Sequence, residues 1–484
     1  MVLALASALP LIAERLTADF TSEVGSLRRE LHSSGFGPQI CSCPQQYIDD
    51  IKSMGFKASR THDWALINPN QRVCDYFHIF PLMHLDAKDP KNYVFGPTDY
   101  LLKRTREEVG HDIFYRLGTS IEHSGDKIHF NSLIPTDFDK VAEIFAGTVR
   151  HYNCGWADGY NWGVKYWEIW NEPDGSNNMW CLPEGDETEW IPVTAEGKAK
   201  RQKRYGMFCD FFVKCLKRLK SEFPDIKVGG PAMMGMREEF FRPLLEACRT
   251  AGVAPDFISW HHYTDNPDAL SEAIKKGRAL CREYGFPDSE LIINEWHYFS
   301  RDYTWGKLRS ADPKDIREIW SGPRSHNGID SSCFNLVCLT RFQTSDLAQG
   351  YYYGCKNTGD WGYMDAQKQK YKVFYGLQLF GELMRDYTTL CAATGTDPED
   401  ESVVTVLAVK SADGKRRGLL VTDYRTRAKE LVIDVKGVPT GAKAKARIHD
   451  YTHDAASLDV TFSDGCLTIK KPDTESAAVV VRFE

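Results

Sequence analysis

The sequence has no long uncharged apolar run, and its mean hydropathy is −0.42. A helix that crosses a bilayer needs about 20 consecutive apolar residues, so this argues against a membrane-spanning protein. An excess of one charge is also missing, because 60 lysines and arginines stand against 67 aspartates and glutamates. The net charge of −7 creates no global field that would attract nucleic acid or an anionic membrane. We therefore expect neither as a partner.

A disulfide framework is absent as well. The 14 cysteines are scattered over 484 residues, whereas disulfide-rich domains are small and dense in cysteine. Cys41 and Cys43 are too close together for a zinc knuckle, and the sequence has no second closely spaced cysteine pair to complete such a site. We expect reduced, mostly buried cysteines. No lysine or arginine precedes the apolar N-terminal stretch, so the positive region of a signal peptide is missing, and we expect a cytoplasmic protein.

Strand-like and helix-like patterns alternate between residues 30 and 385. The candidate strands cover 35–40, 56–62, 112–118, 165–171, 226–231, 256–263, 290–296 and 349–354. Such alternation implies parallel strands joined by crossover helices, and eight units predict an α/β fold, a (β/α)8 barrel over residues 30–390. A doubly wound sheet is the alternative, but no GxGxxG follows a first strand.

The composition changes near residue 400 to short runs rich in β-branched residues. These runs cover 403–410, 418–424, 430–435, 445–451, 458–462, 467–471 and 477–483. Asp-Gly pairs at 413–414 and 464–465 are strong hairpin signals. Together they predict an antiparallel β-sandwich over residues 391–484. Residues 1–29 have no place in the barrel, and we expect them to pack on the sandwich.

The segment YWEIWNEPD at 166–174 carries the strongest chemical signal. Pro173 cannot continue a central strand, so Glu172 should stand at the carboxyl end of the fourth strand. In a barrel that end forms the active-site face, and a carboxylate there is a catalytic candidate. The alternative is a surface carboxylate in a loop.

A second carboxylate, Glu295, ends the apolar strand in LIINEWHYF at 291–299. It follows Glu172 by 123 residues (295 − 172), about three βα units, which would place it after the seventh strand. Carboxylates from the fourth and seventh strands can converge across the barrel mouth. Hydrolysis of a glycosidic bond needs such a pair, in which one group protonates the leaving oxygen and the other attacks the anomeric carbon.

With these two motifs, the chain resembles glycoside hydrolase family 39 of clan A, the family of β-xylosidases and α-L-iduronidases. Further segments that carry the resemblance are 55–64, 92–102, 113–123, 150–159, 228–233 and 258–264. The resemblance covers about residues 30–385 and, more weakly, the family's accessory β-domain. It implies that Glu172 is the acid/base and Glu295 the nucleophile of a retaining mechanism. It implies no metal and no organic cofactor.

Strand six supplies further candidates. Its period of two places His261 and Tyr263 on one side and His262 on the other. The resemblance implies that Tyr263 hydrogen-bonds Glu295. The alternative is that these side chains only fill the barrel, and a zinc site at the two histidines lacks the usual spacing.

Strand two places Arg60 and His62 on one face, and a bend at its end would bring Asp63 to the pocket. The alternative for Arg60 and Asp63 is a structural ion pair at the rim. We expect Asn171 to hydrogen-bond the 2-hydroxyl of a sugar. Arg116 and His123 are weaker site candidates.

We expect two roles for the aromatic residues near the carboxylates. The tryptophan cluster that includes Trp170 could offer ring faces to a sugar, with core packing as the alternative, and Trp296 is a weaker site candidate. Glu172 must be protonated near neutral pH, and we expect Trp167, Trp170 and the negative field of Glu295 to raise its pKa.

The expected substrate is a glycoside or oligosaccharide, most plausibly cleaved by an exo-acting β-xylosidase-like enzyme. The sequence N-E-W differs from T-E-F, which is usual in the family's xylosidases, and inserts at 124–135 and 177–190 should shape the pocket. An α-L-iduronide, an arabinose-containing or another oligosaccharide is the first alternative. A non-catalytic carbohydrate-binding protein is the second, although binding alone does not need both Glu172 and Glu295. A homo-oligomer is compatible with the sequence, which does not define an oligomeric state.

Overall fold

The computed structural model divides the chain into two compact units, Arg28–Met384 and a second unit formed by residues up to Leu27 together with Arg385–Glu484. The described residues are 16–38, 45–65, 72–121, 128, 130–175, 179–183, 194–300, 312–314, 322–358, 361–365, 367–396, 401–472 and 474–484. Among the helices within these ranges, none is long and apolar enough to cross a membrane.

The first described strand, β1 (Leu16–Ser26), belongs to the second unit, and the following eight strands close a parallel barrel. The barrel strands are β2 (Ser33–Ser34), β3 (Ala58–Arg60), β4 (Asp112–Leu117), β5 (Tyr166–Ile169), β6 (Lys227–Met233), β7 (Phe257–Thr264), β8 (Glu290–Tyr298) and β9 (Leu347–Tyr352). Two short strands, β10 (Lys356–Thr358) and β11 (Gly362–Met364), pair with each other. The predicted (β/α)8 barrel is therefore confirmed.

Helices connect and follow these strands. They are α1 (Gln45–Met54), α2 (Tyr76–Ile79), α3 (Gly96–Arg104), α4 (Phe138–Cys154), α5 (Ala195–Glu222), α6 (Glu238–Thr250), α7 (Pro267–Glu283), α8 (Ile329–Phe342) and α9 (Lys372–Asp386). Short turns of 3-10 helix lie at Arg29–Leu31 and Pro90–Asn92, and a π-helical turn at Thr105–Val109. Asp137, Thr194 and Asn266 begin α4, α5 and α7, because each side chain accepts a hydrogen bond from the first turn.

Seven predicted barrel strands overlap the observed ones, but the first was misplaced. We predicted it at 35–40, whereas β2 is Ser33–Ser34, and residues 39–44 lie outside the described part. Gly37 has a φ of +88°, which interrupts extended backbone. Two serines carry no apolar pattern, so the true strand gave no signal in the sequence.

The barrel interior changes character along the strands. Its lower layer is formed by Ala58, Phe114, Phe257, Ile292 and Tyr351, with Tyr166 packed against them. Two residues further along four of these strands, on the same inward face, stand Arg60, Arg116, Glu168 and Ser259. A polar layer thus separates the aromatic floor from the barrel mouth.

The second unit contains one ten-stranded, mostly antiparallel sheet in the order β17-β16-β20-β14-β13-β12-β1-β15-β19-β18. Its remaining strands are β12 (Thr389–Thr394), β13 (Val403–Lys410), β14 (Arg417–Tyr424), β15 (Glu430–Lys436), β16 (Ala444–His449), β17 (Ala456–Leu458), β18 (Thr461–Ser463), β19 (Cys466–Lys470) and β20 (Ala477–Phe483). The predicted strand at 458–462 is divided between β17 and β18.

The sheet folds over a single core. Phe462 in the edge strand β18 lies 5.0 Å, between ring centroids, from Phe483 in β20, seven strands away in the sheet order. Strand β1 lies inside the sheet, antiparallel to β12 and parallel to β15. Phe20 of β1 packs edge-on against Phe483 with centroids 5.8 Å apart. The N-terminal strand is therefore part of this core.

Phe20→Ala should destabilise the second unit by about 3–5 kcal/mol, because it removes a buried ring from that core. Every tryptophan of the chain lies between residues 64 and 361, so fluorescence does not report on this unit. Hydrogen exchange in peptides from β13 and β14, read by mass spectrometry, should become much faster. Val24→Ala at an exposed position of β1 is the matched control. Unchanged exchange in Phe20→Ala would show that β1 is dispensable for the core.

Candidate functional site

Glu172 lies just past the end of β5, where the backbone leaves the extended conformation. Trp170 has a φ of +74° and Glu172 a φ of +45°, both in the left-handed region that side chains rarely adopt. The alternation of side chains is broken there, so that Asn171 and Glu172, although adjacent, reach the same group of residues. Asn171 Oδ1 accepts a hydrogen bond from Arg60, and Glu172 Oε1 lies 2.7 Å from His261 Nδ1.

Glu295 is brought inward by an irregularity in β8. The pairing of β7 with β8 runs from Trp260–Ile293 directly to His261–Glu295, which leaves Asn294 as an extra residue. Such a bulge re-aims the side chains that follow it. Asn294 and Glu295 consequently both point into the barrel, where Asn294 Nδ2 donates to Glu168 and Glu295 accepts from Arg60.

The surroundings of Glu295 are rich in donors. Arg60 Nη1 donates to Oε1 over 2.7 Å, and the Tyr263 hydroxyl donates to Oε2 over 2.8 Å. His62 Nδ1 lies 3.4 Å from Oε1. The contact between Tyr263 and Glu295 that the resemblance implied is present.

The two carboxylates face each other across His261. One oxygen of Glu172, one oxygen of Glu295 and a ring nitrogen of His261 all lie within 4.8 Å of one another. Nδ1 of His261 is 2.7 Å from Glu172 and 3.4 Å from Glu295. A divalent cation can bind such ligands. The guanidinium of Arg60 already neutralises Glu295, however, and its positive charge would repel a metal ion.

The electrostatic surroundings of the carboxylates differ. Burial raises the pKa of Glu172 to about 8, Arg60 and Arg116 oppose the shift, and the charge of Asp63 adds to it. Burial also raises the pKa of Glu295, but His261, Arg60 and the hydroxyl of Tyr263 oppose it. Among the residues that the structure describes, no cation is hydrogen-bonded to Glu172, whereas Arg60 is hydrogen-bonded to Glu295. The arrangement therefore favours a proton on Glu172 and a charge on Glu295.

Burial lowers the pKa of His261 to about 4, so this ring is neutral near pH 7. The pKa of His62 is also lowered, by burial and by the charges of Arg116 and Arg60. Both histidines can therefore act as neutral hydrogen-bonding groups beside the carboxylates.

Asp63 sits at the rim with a φ of +48°. Its partner is not Arg60 but Arg116, whose Nη2 lies 3.5 Å from Asp63 Oδ1 and 3.6 Å from Asp75 Oδ1. The alternative of an ion pair between Arg60 and Asp63 is thus wrong. Arg60 instead faces Glu168, Glu295 and Asn171.

The structure places Trp170 in the core, against the prediction that it contacts substrate. Its Nε1 donates to the carbonyl of Met179, and its ring packs edge-on against Trp180 and Phe211. Trp167 is equally buried, on the outward face of β5. Both rings thus pack in the core, and the pKa of Glu172 is raised by burial and by the charge of Asp63.

Trp296 also lies in the core, although we predicted that it contacts substrate. It is fully buried and packs edge-on against Phe342 of α8 and against Tyr352. Because Glu295 points inward, the next residue of the strand points outward to the helices. His123 and most of the insert at 124–135 lie outside the described residues, as does most of 177–190.

Sequence reasoning missed an aromatic wall beside Glu295. Tyr353, just after β9, lies 5.5 Å from the ring of His62 and 6.1 Å from that of Tyr263. Trp361 is 5.8 Å from Tyr263 and 5.3 Å from Tyr353. Both are partly exposed, as a surface that meets a ligand must be. The run of tyrosines at the end of a predicted barrel strand could have indicated the first of them.

The described residues thus form a closed parallel barrel with two carboxylates at its mouth, and a separate, mostly antiparallel β-sheet unit. Solved structures agree with this at the level of fold. A glucosidase from Croceicoccus marinus superposes with a TM-score of 0.72 at 19% identity, covering 97% of this chain and 98% of its own. An α-L-arabinofuranosidase from Thermotoga maritima gives 0.57 at 13% identity, covering 97% and 99%. A family 30 xylanase from Clostridium acetobutylicum gives 0.56 at 15%, covering 97% and 100%.

Among curated proteins, the chain is similar to a β-xylosidase from Geobacillus stearothermophilus. The two are 26% identical over 198 residues, which cover 36% of this chain and 34% of the relative. The match thus spans about a third of that relative's length. No family model matches the sequence. The similarity to a β-xylosidase agrees with the resemblance that the motifs indicated, and the solved structures agree with the fold that it implied.

The pKa of Glu172 has a consequence for stability. Its ordinary value is 4.5 and its folded value about 8, so the folded protein holds a proton that the unfolded chain releases. Stability should therefore fall as the pH rises from about 4.5 to 8. Glu172→Gln removes this loss and should be more stable than the wild type at pH 8, by more than about 1 kcal/mol.

Urea unfolding followed by tryptophan fluorescence at pH 5 and pH 8 measures this difference. The exposed Glu107→Gln is the matched control and should follow the wild type. If Glu172→Gln loses as much stability between the two pH values as the wild type does, Glu172 does not carry the proton.

Proposed function

We propose that the protein is a retaining glycoside hydrolase in which Glu172 is the acid/base and Glu295 the nucleophile. The proposal rests on the short distance between the two carboxylates, which have oxygens within 4.8 Å of each other. Their surroundings favour a proton on Glu172 and a charge on Glu295. Retaining enzymes hold the two groups about 5–5.5 Å apart, whereas inverting enzymes need about 6.5–9.5 Å to admit a water molecule.

The reaction would proceed in two displacements. Glu172 donates its proton to the glycosidic oxygen as the bond to the leaving group breaks, and Glu295 attacks the anomeric carbon. The result is a glycosyl ester of Glu295 and a released alcohol. Glu172, now ionised, takes a proton from water, whose oxygen displaces Glu295 and restores both groups.

The neighbouring side chains fit this assignment. Arg60 and Tyr263 stabilise the charge of Glu295, which returns when the ester is cleaved. Asn171 Oδ1 accepts a hydrogen bond from Arg60. Asn171 Nδ2 has a long contact, 4.0 Å, with Met179 Sδ. This leaves the amide of Asn171 to donate to the sugar 2-hydroxyl. His62, Asp63 and His261 are proposed to contact the remaining hydroxyls.

The proposed substrate is a terminal pentose, most plausibly xylose, released by exo action. The name of the curated relative, a β-xylosidase, supports this choice. An arabinose-containing glycoside or an α-L-iduronide is the alternative, and the first is favoured by the arabinofuranosidase among the similar folds. A protein that only binds carbohydrate is the other alternative, but it would not need an acid of raised pKa beside a second carboxylate.

Two variants separate the roles of the carboxylates. Glu295→Ala should lower kcat by at least about 10⁴-fold on every substrate, because no ester can form. Glu172→Ala should reduce kcat/KM most for poor leaving groups. With good leaving groups, azide should restore turnover by displacing Glu295 from the glycosyl ester, which forms a glycosyl azide and frees the carboxylate. The exposed Glu107→Ala should match the wild type. Equal losses for good and poor leaving groups in Glu172→Ala would refute the acid/base role.

A panel of aryl glycosides tests the substrate. It contains the β-xyloside, α-L-arabinoside, α-L-iduronide, β-glucoside and β-galactoside, with Glu295→Ala run in parallel. We expect release from the β-xyloside that disappears in the variant. Release from another member would replace xylose, and release that persists in Glu295→Ala would contradict the nucleophile assignment.

A further inference from the structure

Glu168 is a third carboxylate in the barrel, and the proposed chemistry does not use it. It is fully buried in β5, one inward-facing position below the barrel mouth. Its two oxygens accept three hydrogen bonds, from Arg60 Nε at 2.6 Å, Ser259 Oγ at 2.6 Å and Asn294 Nδ2 at 2.5 Å. These donors come from three other strands, so the carboxylate ties β5 to β3, β7 and β8.

Arg60 presents each side of its guanidinium to a different acceptor. Nε meets Glu168, Nη1 meets Glu295 and Nη2 meets Asn171, at 2.6, 2.7 and 2.8 Å. The guanidinium is planar, so the direction of Nε determines where both Nη atoms point. With Glu168 fixing Nε, the other two contacts follow.

We propose that Glu168 is a positioning residue that acts through Arg60, holding the guanidinium in the orientation that serves both Glu295 and Asn171. This proposal rests on the proposed function. Glu168 does not touch the reacting atoms, since Arg60 stands between it and Glu295. Glu168 also has an electrostatic effect. The single positive charge of Arg60 neutralises both Glu168 and Glu295, so Glu295 is stabilised less than it would be by an unshared cation.

Several charged or titratable groups face these carboxylates. Around Glu295 they are Arg60, His62, Glu172, His261, Tyr263 and Tyr353. Around Glu168 they are Arg60, His261 and Tyr351. Arg60 is the cation that both share, so a change at Glu168 reaches Glu295 through it.

Glu168→Gln tests the proposal. It keeps an acceptor for Arg60 Nε but removes a negative charge, so Arg60 then balances Glu295 alone. The pKa of Glu295 should fall by about one unit. A less basic nucleophile attacks more slowly, and kcat should fall about tenfold while KM stays within twofold. Tyr166→Phe is the matched control, since Tyr166 lies one inward position lower in β5 and its hydroxyl donates to Glu290, outside the contacts of Arg60.

Two readouts distinguish this proposal from the proposed function. The acid limb of the profile of kcat/KM against pH should move down in Glu168→Gln and not in Tyr166→Phe. Titration of 13C-labelled glutamate by NMR, with the Glu295 signal assigned from Glu295→Gln, follows the same pKa without turnover. If the wild type cleaves no glycoside, the proposed function fails while the NMR titration still tests Glu168.

An unchanged Glu295 titration in folded Glu168→Gln overturns the proposal and leaves Glu168 as a barrel-filling residue. If that variant does not fold, Glu168→Asp replaces it. Aspartate keeps the charge but is one methylene shorter, so it releases Nε of Arg60, and kcat should fall at least tenfold with KM unchanged. Wild-type kcat in Glu168→Asp would equally overturn the proposal.

Discussion

The buried cation Arg60 organises the carboxyl end of this barrel. It is completely enclosed, yet burial alone would strongly favour its neutral form. The two carboxylates beside it raise its pKa and keep it charged. Removing one partner from such a buried ion pair costs about 3–5 kcal/mol, because the other charge is then left without compensation. The orientation of the guanidinium is therefore stabilised by the same interactions that define the site.

Local departures from regular strand geometry bring the remaining groups to Arg60. The extra residue at Asn294 lets two consecutive side chains of β8 point inward. The left-handed residues around Asn171 do the same after β5. A regular strand would alternate its side chains and could supply only one of each pair. Conformations of this kind are costly and persist where the surrounding contacts determine them, which is typical of functional sites.

The sequence predicted the features that depend on periodicity and missed those that depend on irregularity. Period two correctly placed Arg60 with His62 and His261 with Tyr263, and Pro173 correctly marked the end of β5. The same rule cannot reveal the bulge at Asn294, which lets two consecutive residues of β8 point inward. The candidate Trp296 instead faces α8. Glu168 lies within a predicted strand, but nothing in its neighbours shows that Arg60 approaches from another strand. Whether Glu172 and Glu295 act as predicted is for the proposed experiments to test.

The placement of β1 has a consequence for how the chain acquires its structure during synthesis. This strand is made before the barrel unit, yet its partners β12 and β15 are made only after it. Until residue 436 has left the ribosome, β1 exposes unpaired backbone and the buried face that carries Phe20. Pairing over such a separation is slow, because closing a long loop comes before any gain from the contact. The sheet of the second unit can thus be completed only after β15 is made, and until then β1 is exposed to aggregation or to a chaperone.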